Sequence, residues 1–207
     1  MSNTFAPFGL SQTGGNPGAA PNFEQAAYSI LYSDTNKIYT GDPVKLGSNG
    51  YVAAWTAGTA VSQLFGIFAG CEYLSSSQGK VVWSNYWPGS DATGDVEAYV
   101  IDDPNTRFVV QTSGSSFQIT GTNTTFTSSP VGQLAQLNVG SGSTTTQQSG
   151  MYLDTVGTTA TYPFQIVDMV LDPPGSNGSD PTSNYNYVIV GFNNEMLRSN
   201  GAVTGIS

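Results

Sequence analysis

Residues 96–110 read VEAYVIDDPNTRFVV, which sets two adjacent aspartates, Asp102 and Asp103, between two apolar runs. Neighbouring carboxylates can serve as an acid–base pair, as ligands for a hard cation, or as acceptors in a turn. A glycosidase-type pair must face across its substrate, with carboxyl groups about 5–9.5 Å apart. Adjacent residues in an extended chain point to opposite faces instead. Asp103-Pro104-Asn105-Thr106 matches a β-turn, with Asp at the position that accepts backbone hydrogen bonds and Pro where φ is preset. The expectation is a structural turn at Asp102, Asp103 and Pro104, joining two hairpin strands. Calcium binding is the alternative, with Asp168, Asp172 and Asp180 as further oxygen donors, but DPPGSNGSD lacks EF-hand spacing.

Other reactive constellations are missing. The chain has no histidine, so a Ser-His-Asp triad and a Cys-His dyad are excluded. The single cysteine, Cys71, lies in LFGIFAGCEY. It can form no intrachain disulfide and reads as a small buried residue. No phosphate-cradling glycine loop is present. The expectation is a protein that is not an enzyme, with no catalytic residues, no cofactor and no metal.

Charge narrows the partners. Fourteen acidic residues face five basic ones, for a net charge of -9. Nucleic-acid binding needs a basic footprint, and an anionic membrane surface repels such a chain. The start, MSNTFAPFGL, lacks the basic region and apolar core of a signal peptide. No apolar run reaches the roughly 18 residues of a membrane span. Synthesis in a cytoplasm is expected, with neither nucleic acid nor membrane as partner. Aromatic chemistry remains: Trp83, Tyr86 and Trp87 in KVVWSNYW can form a flat sugar platform, an interface anchor or part of a core.

The elements that must hold these residues are strands. Ten short runs qualify: AYSILYS, GYVAAW, LFGIFAG, KVVWSNYW, VEAYVI, RFVVQT, SFQIT, QLAQLNV, PFQIVDMVL and YNYVIVGF. Turn residues separate them, as at Thr40-Gly41-Asp42-Pro43 and Asn49-Gly50. In VEAYVI, Val96, Ala98 and Val100 share one face, and Glu97, Tyr99 and Ile101 share a mixed one. No convincing amphipathic helix is found. The fold expected is all-β, an antiparallel sandwich or jelly-roll-like domain.

Residues 1–26 read as an extended N-terminal arm, broken by Pro7, Pro17 and Pro21. Its apolar residues Phe5, Phe8, Leu10 and Phe23 are candidate anchors, on this chain's own body or on a neighbouring subunit. Residues 27–198 form the β body, with a Ser/Thr-rich loop region near 112–150, and residues 199–207 form a tail.

Three stretches carry a resemblance: VSQLFGIFAGCEYLSSSQGKVVWSNYWPGS, VEAYVIDDPNTRFVVQTSG and PFQIVDMVLDPPGSNGSDPTSNYNYVIVGFNNEML. With TGDPVKLGSNGYVAAW upstream, they resemble the cement, decoration or minor capsid proteins of tailed-bacteriophage heads over residues 38–197. The cues are Gly66, Phe68, Gly70 and Tyr73, the Tyr86-Trp87-Pro88 corner, and the Asp102-Asp103-Pro104 turn. The resemblance implies a non-enzymatic virion protein on the capsid surface, bridging copies of the major capsid protein, itself a dimer or trimer. A carbohydrate-binding module of a tail spike or fibre is the first rival. A carboxylate-dependent hydrolase, with two acidic side chains facing one cleft, is the second.

Overall fold

A computed structural model describes residues 3–14, 24–56, 64–114, 117–118, 120–122, 125–128, 130–170 and 182–196. Among them there is no α-helix, and two six-stranded antiparallel sheets carry the architecture. β-Branched and aromatic residues dominate the strands, as a pleated, half-buried surface favours.

The first sheet runs β2 (Ala26–Ile30), β9 (Val96–Ile101), β6 (Leu64–Leu74), β4 (Pro43–Leu46) and β5 (Val52–Ala54). β7 (Val81–Ser84) is added beside the far half of β6. The outer strands β2 and β5 come into contact, so this sheet curls around a core of its own. That core holds Ile30, Val44, Phe65, Phe68, Val96, Ala98 and Val100. A two-stranded ribbon of β3 (Ile38–Tyr39) and β8 (Tyr86–Trp87) adds Ile38 and Trp87 to it.

The second sheet runs β1 (Ser11–Gly14), β10 (Arg107–Gln111), β16 (Tyr187–Phe192), β15 (Phe164–Met169), β13 (Leu134–Asn138) and β14 (Tyr152–Gly157). Its inner face packs Phe108, Val110, Phe164, Ile166, Val188 and Val190 against Leu64, Ile67 and Ile101 of the curled sheet. A small ribbon of β11 (Thr120–Thr122) and β12 (Thr125–Ser128) completes the strands. The chain is thus an all-β, two-layer arrangement, and the first half of β6 is buried on both sides, with Ile67 in one core and Phe68 in the other.

The expected turn is present. Thr106 N donates to Asp103 O at 3.0 Å, and Asn105 N donates to Asp103 Oδ1 at 2.9 Å. The expected hairpin is not. β9 belongs to the curled sheet and β10 to the second one, so the turn is the corner at which the chain changes layer. Asp102 ties that corner down by accepting the Tyr28 hydroxyl at 2.5 Å. Burial first, and this bond second, push the Tyr28 phenol up to about 12.

Residues 3–14 lie along this chain's own second sheet. β1 pairs with β10, and the buried amide of Gln111 clamps the residues before it. Its Oε1 accepts from Ala6 N at 2.8 Å, and its Nε2 donates to Thr4 O at 2.8 Å and to Tyr185 O at 3.3 Å. Leu10 enters the core between the sheets. Just before it, Gly9 adopts φ +77, and a Cβ there would lie 2.4 Å from the Ser149 Cβ. Only glycine lets the backbone pass so close in that conformation. Leu10 N then donates to Gly41 O at 3.0 Å.

Candidate functional site

The two layers do not overlap completely, and the uncovered part of the curled sheet is the most distinctive surface of the molecule. On β9 the outward residues are Ile101, Tyr99 and Glu97. Ile101 is buried under the second sheet, Tyr99 is half-buried and Glu97 is exposed. The covered side of β6 likewise ends in Glu72 and Leu74, which stand beside Trp83 and Val81 of β7. Strand alternation sets all of these on one face.

This face is apolar in an unusual way for a polar chain. Leu74, Val81 and Trp83 are 44%, 56% and 68% exposed. Leu74 is register partner to Val81, and Glu72 to Trp83. The Trp83 indole is stacked on Tyr99, with centroids 5.2 Å apart, so its other ring face looks outward. On the other side of β6, Glu72 is register partner to Glu97. The Tyr99 hydroxyl donates to Glu72 Oε2 at 3.3 Å. Partial burial, with the Glu97 and Glu72 charges behind it, raises the Tyr99 phenol above its usual range. A depression of about 240 Å³ adjoins Trp83 and is lined by Gln25, Gly70, Ser84, Asn85, Tyr99 and Gln147. Gln147 holds φ 60 there, in the left-handed region that non-glycine residues rarely adopt.

The other sequence-predicted residues are dispersed. Trp87 is fully buried, edge-on to Tyr73, with Nε1 donating to Asp34 O at 3.2 Å. It is a core residue and cannot be a sugar platform or interface anchor. The strand breaks at Asn85, so Trp87 turns inward while Trp83 stays outside. Tyr86 is half-buried and stacked on Tyr39 at 5.5 Å. Leu10 is an anchor into this chain's own core. Phe8 is half-buried on Tyr187, and Phe5 is 43% exposed between Tyr152 and Tyr185. Phe23, Asp172 and Asp180 lie outside the described residues.

Asp102 and Asp103 make two separate structural bonds, to the Tyr28 hydroxyl and to Asn105 N, and not a facing carboxylate pair. The acidic side chains that do meet, Glu72 and Glu97, stand on an open face rather than in a water-excluding cleft. Among the described residues no three Cys, Asp or Glu side chains gather where they could hold a metal ion.

A second depression, of about 300 Å³, lies where the two sheets meet and is lined by Lys37, Tyr39, Asp42, Trp55, Gly140 and Met151 among others. Asp42 sits in the expected turn, yet it is buried. Burial raises its carboxyl to about 6, against hydrogen bonds from Ser149 and from Tyr39 N that lower it. Sequence reasoning passed over Asp42, Glu72 and Glu97. An acid after a glycine reads as a surface turn, and no local signal shows which strands will be neighbours.

Comparison with known proteins returns no match to a family model, a curated protein or a solved structure.

Proposed function

We propose that this chain is a non-enzymatic virion protein of a tailed bacteriophage, made in the host cytoplasm, that docks on the outer surface of the head and bridges neighbouring copies of the major capsid protein. The observation that carries the reading is the open apolar strip Leu74–Val81–Trp83, three exposed apolar side chains side by side on one sheet face of an acidic chain. Contiguous exposed apolar surface of this kind marks interaction sites. The major capsid protein is the partner that the resemblance of residues 38–197 to head cement proteins implies. A stable, specific contact buries at least about 1,000 Å², so the strip supplies the centre and the surrounding Ser, Thr and Asn the wet rim. Self-association as a dimer or trimer belongs to the same reading. Binding across subunit boundaries stabilises the shell by mass action, because the bound state must be undone before subunits separate.

The test is co-sedimentation with expanded heads that lack the protein. Saturable binding at a fixed ratio, lost in Trp83→Ala and followed by greater heat resistance of the heads, supports the proposal. No binding by the wild type overturns it. A carbohydrate-binding role is favoured by one observation, the outward Trp83 ring beside a depression lined with amide side chains. It requires a glycan that changes Trp83 fluorescence, and silence across a broad glycan panel rejects it.

A further inference from the structure

The open face carries a charge conflict that no described lysine or arginine relieves. Glu72 and Glu97 are register partners on adjacent antiparallel strands. Such partners have Cβ atoms about 5 Å apart, and like charges there repel. Tyr99 offers a hydroxyl but no positive charge. No lysine or arginine of the described residues makes an ion pair with either glutamate. The Arg107 side chain lies against Gly191 on the other sheet, and Lys80 lies past the Leu74–Val81 pair, in the turn before β7.

Beside this acidic pair stands an indole with one face held and the other open. A flat cation answers both features. A guanidinium stacks on an indole face and presents a fork of N–H donors that matches carboxylates. An ammonium is more strongly hydrated and lacks the plane. A neutral sugar uses the ring and leaves the two glutamates opposed. Leu74 and Val81 lie two residues along from Glu72 and Trp83, about 7 Å in an extended strand. An apolar side chain two positions from the cation would reach them.

Resting on the reading of this face as a docking surface, we infer that its occupant is an extended segment of a partner protein with an arginine two residues from an apolar side chain, the guanidinium stacking on Trp83 and pairing with Glu72 and Glu97. Charge complementarity between a chain of net charge -9 and a basic segment also speeds encounter.

The experiment uses the full chain and two short peptides. One carries an arginine two positions before a leucine, and the other carries citrulline in its place, which keeps the shape and removes the charge. Trp55 and Trp87 are buried, so quenching by acrylamide reports on Trp83, and calorimetry gives the affinity independently. The arginine peptide is expected to shield Trp83 and to bind about tenfold tighter or more than its citrulline counterpart. Glu72→Gln with Glu97→Gln should abolish that preference. Equal binding of the two peptides, no shielding by either, or an undiminished preference in the double variant overturns the inference. The head assay answers separately. Heads that bind while the peptides go undiscriminated leave the docking reading standing without the arginine, and discriminated peptides without head binding do the reverse.

Discussion

The Trp83 indole lies within 5° of parallel to the Tyr99 ring, although the two residues sit on strands that flank β6 from opposite sides. The rings reach over the strand between them, so each fixes the other. A binding surface assembled this way loses little freedom when a partner arrives, which is how preorganisation improves affinity.

The stack should be measurable apart from any ligand. Trp83→Ala and Tyr99→Ala, alone and together, form a double-mutant cycle. The expected coupling is about 0.5–1.5 kcal/mol, read by urea denaturation. A coupling near zero would mean that the rings are adjacent without supporting each other.

Asp42 predicts a pH dependence with a defined sign. Burial lifts its carboxyl from 3.8 to about 6, so between those pH values the folded chain holds a proton that the unfolded chain has released. The contribution to stability is present in full below pH 3.8 and is lost as pH rises through about 6. Asp42→Asn removes this loss. Its stability relative to the wild type should improve by up to about 3 kcal/mol across that window. Denaturant melts at several pH values check this, and a constant difference would refute it.

Leu10 and Phe5 should part company. Leu10 fills the core between the sheets, and Leu10→Ala is expected to cost about 2–5 kcal/mol. Phe5 is partly exposed against two tyrosines, and Phe5→Ala should cost about 1 kcal/mol or less. Removal of residues 1–24 must then cost at least as much as Leu10→Ala. Chemical denaturation ranks the three, and a truncated chain as stable as the whole one would show that Leu10 does not pack as described.

Cys71 should be inert in the folded chain. It is buried, its Sγ donates to Tyr86 O at 3.6 Å, and burial pushes the thiol up to about 12. The thiolate is the reactive form, so disulfide reagents should modify Cys71 at the rate of unfolding. Rapid labelling under native conditions would contradict its placement.

Much of this architecture was legible locally, and what was not has a common cause. Asp103-Pro104-Asn105-Thr106 announces its turn because the side-chain and proline preferences act within four residues. Whether the next strand pairs back or crosses to another sheet depends on contacts far along the chain, and β9 and β10 took the second course. The face of Val96, Ala98 and Val100 followed from alternation alone. Trp83 and Trp87 have the same parity in sequence, and the strand break between them sends one out and the other in. β4 was hidden in a stretch that reads as turn, since Gly41 bends the chain two residues before Pro43. The Glu72–Glu97 opposition needs the β6–β9 register, and a bulge between Phe68 and Gly70 shifts that register by one.

The double burial of the first half of β6 ties the fates of the two cores together. Pulling this strand out would strip one wall from each at once, so neither layer can melt while the other persists, and unfolding should be a single cooperative event. The partners of β6 are also far apart in sequence, from β4 to β9, and such non-local pairing makes folding slow. A chain built around a shared central strand gives up speed in reaching its fold and gains resistance to piecemeal opening afterwards.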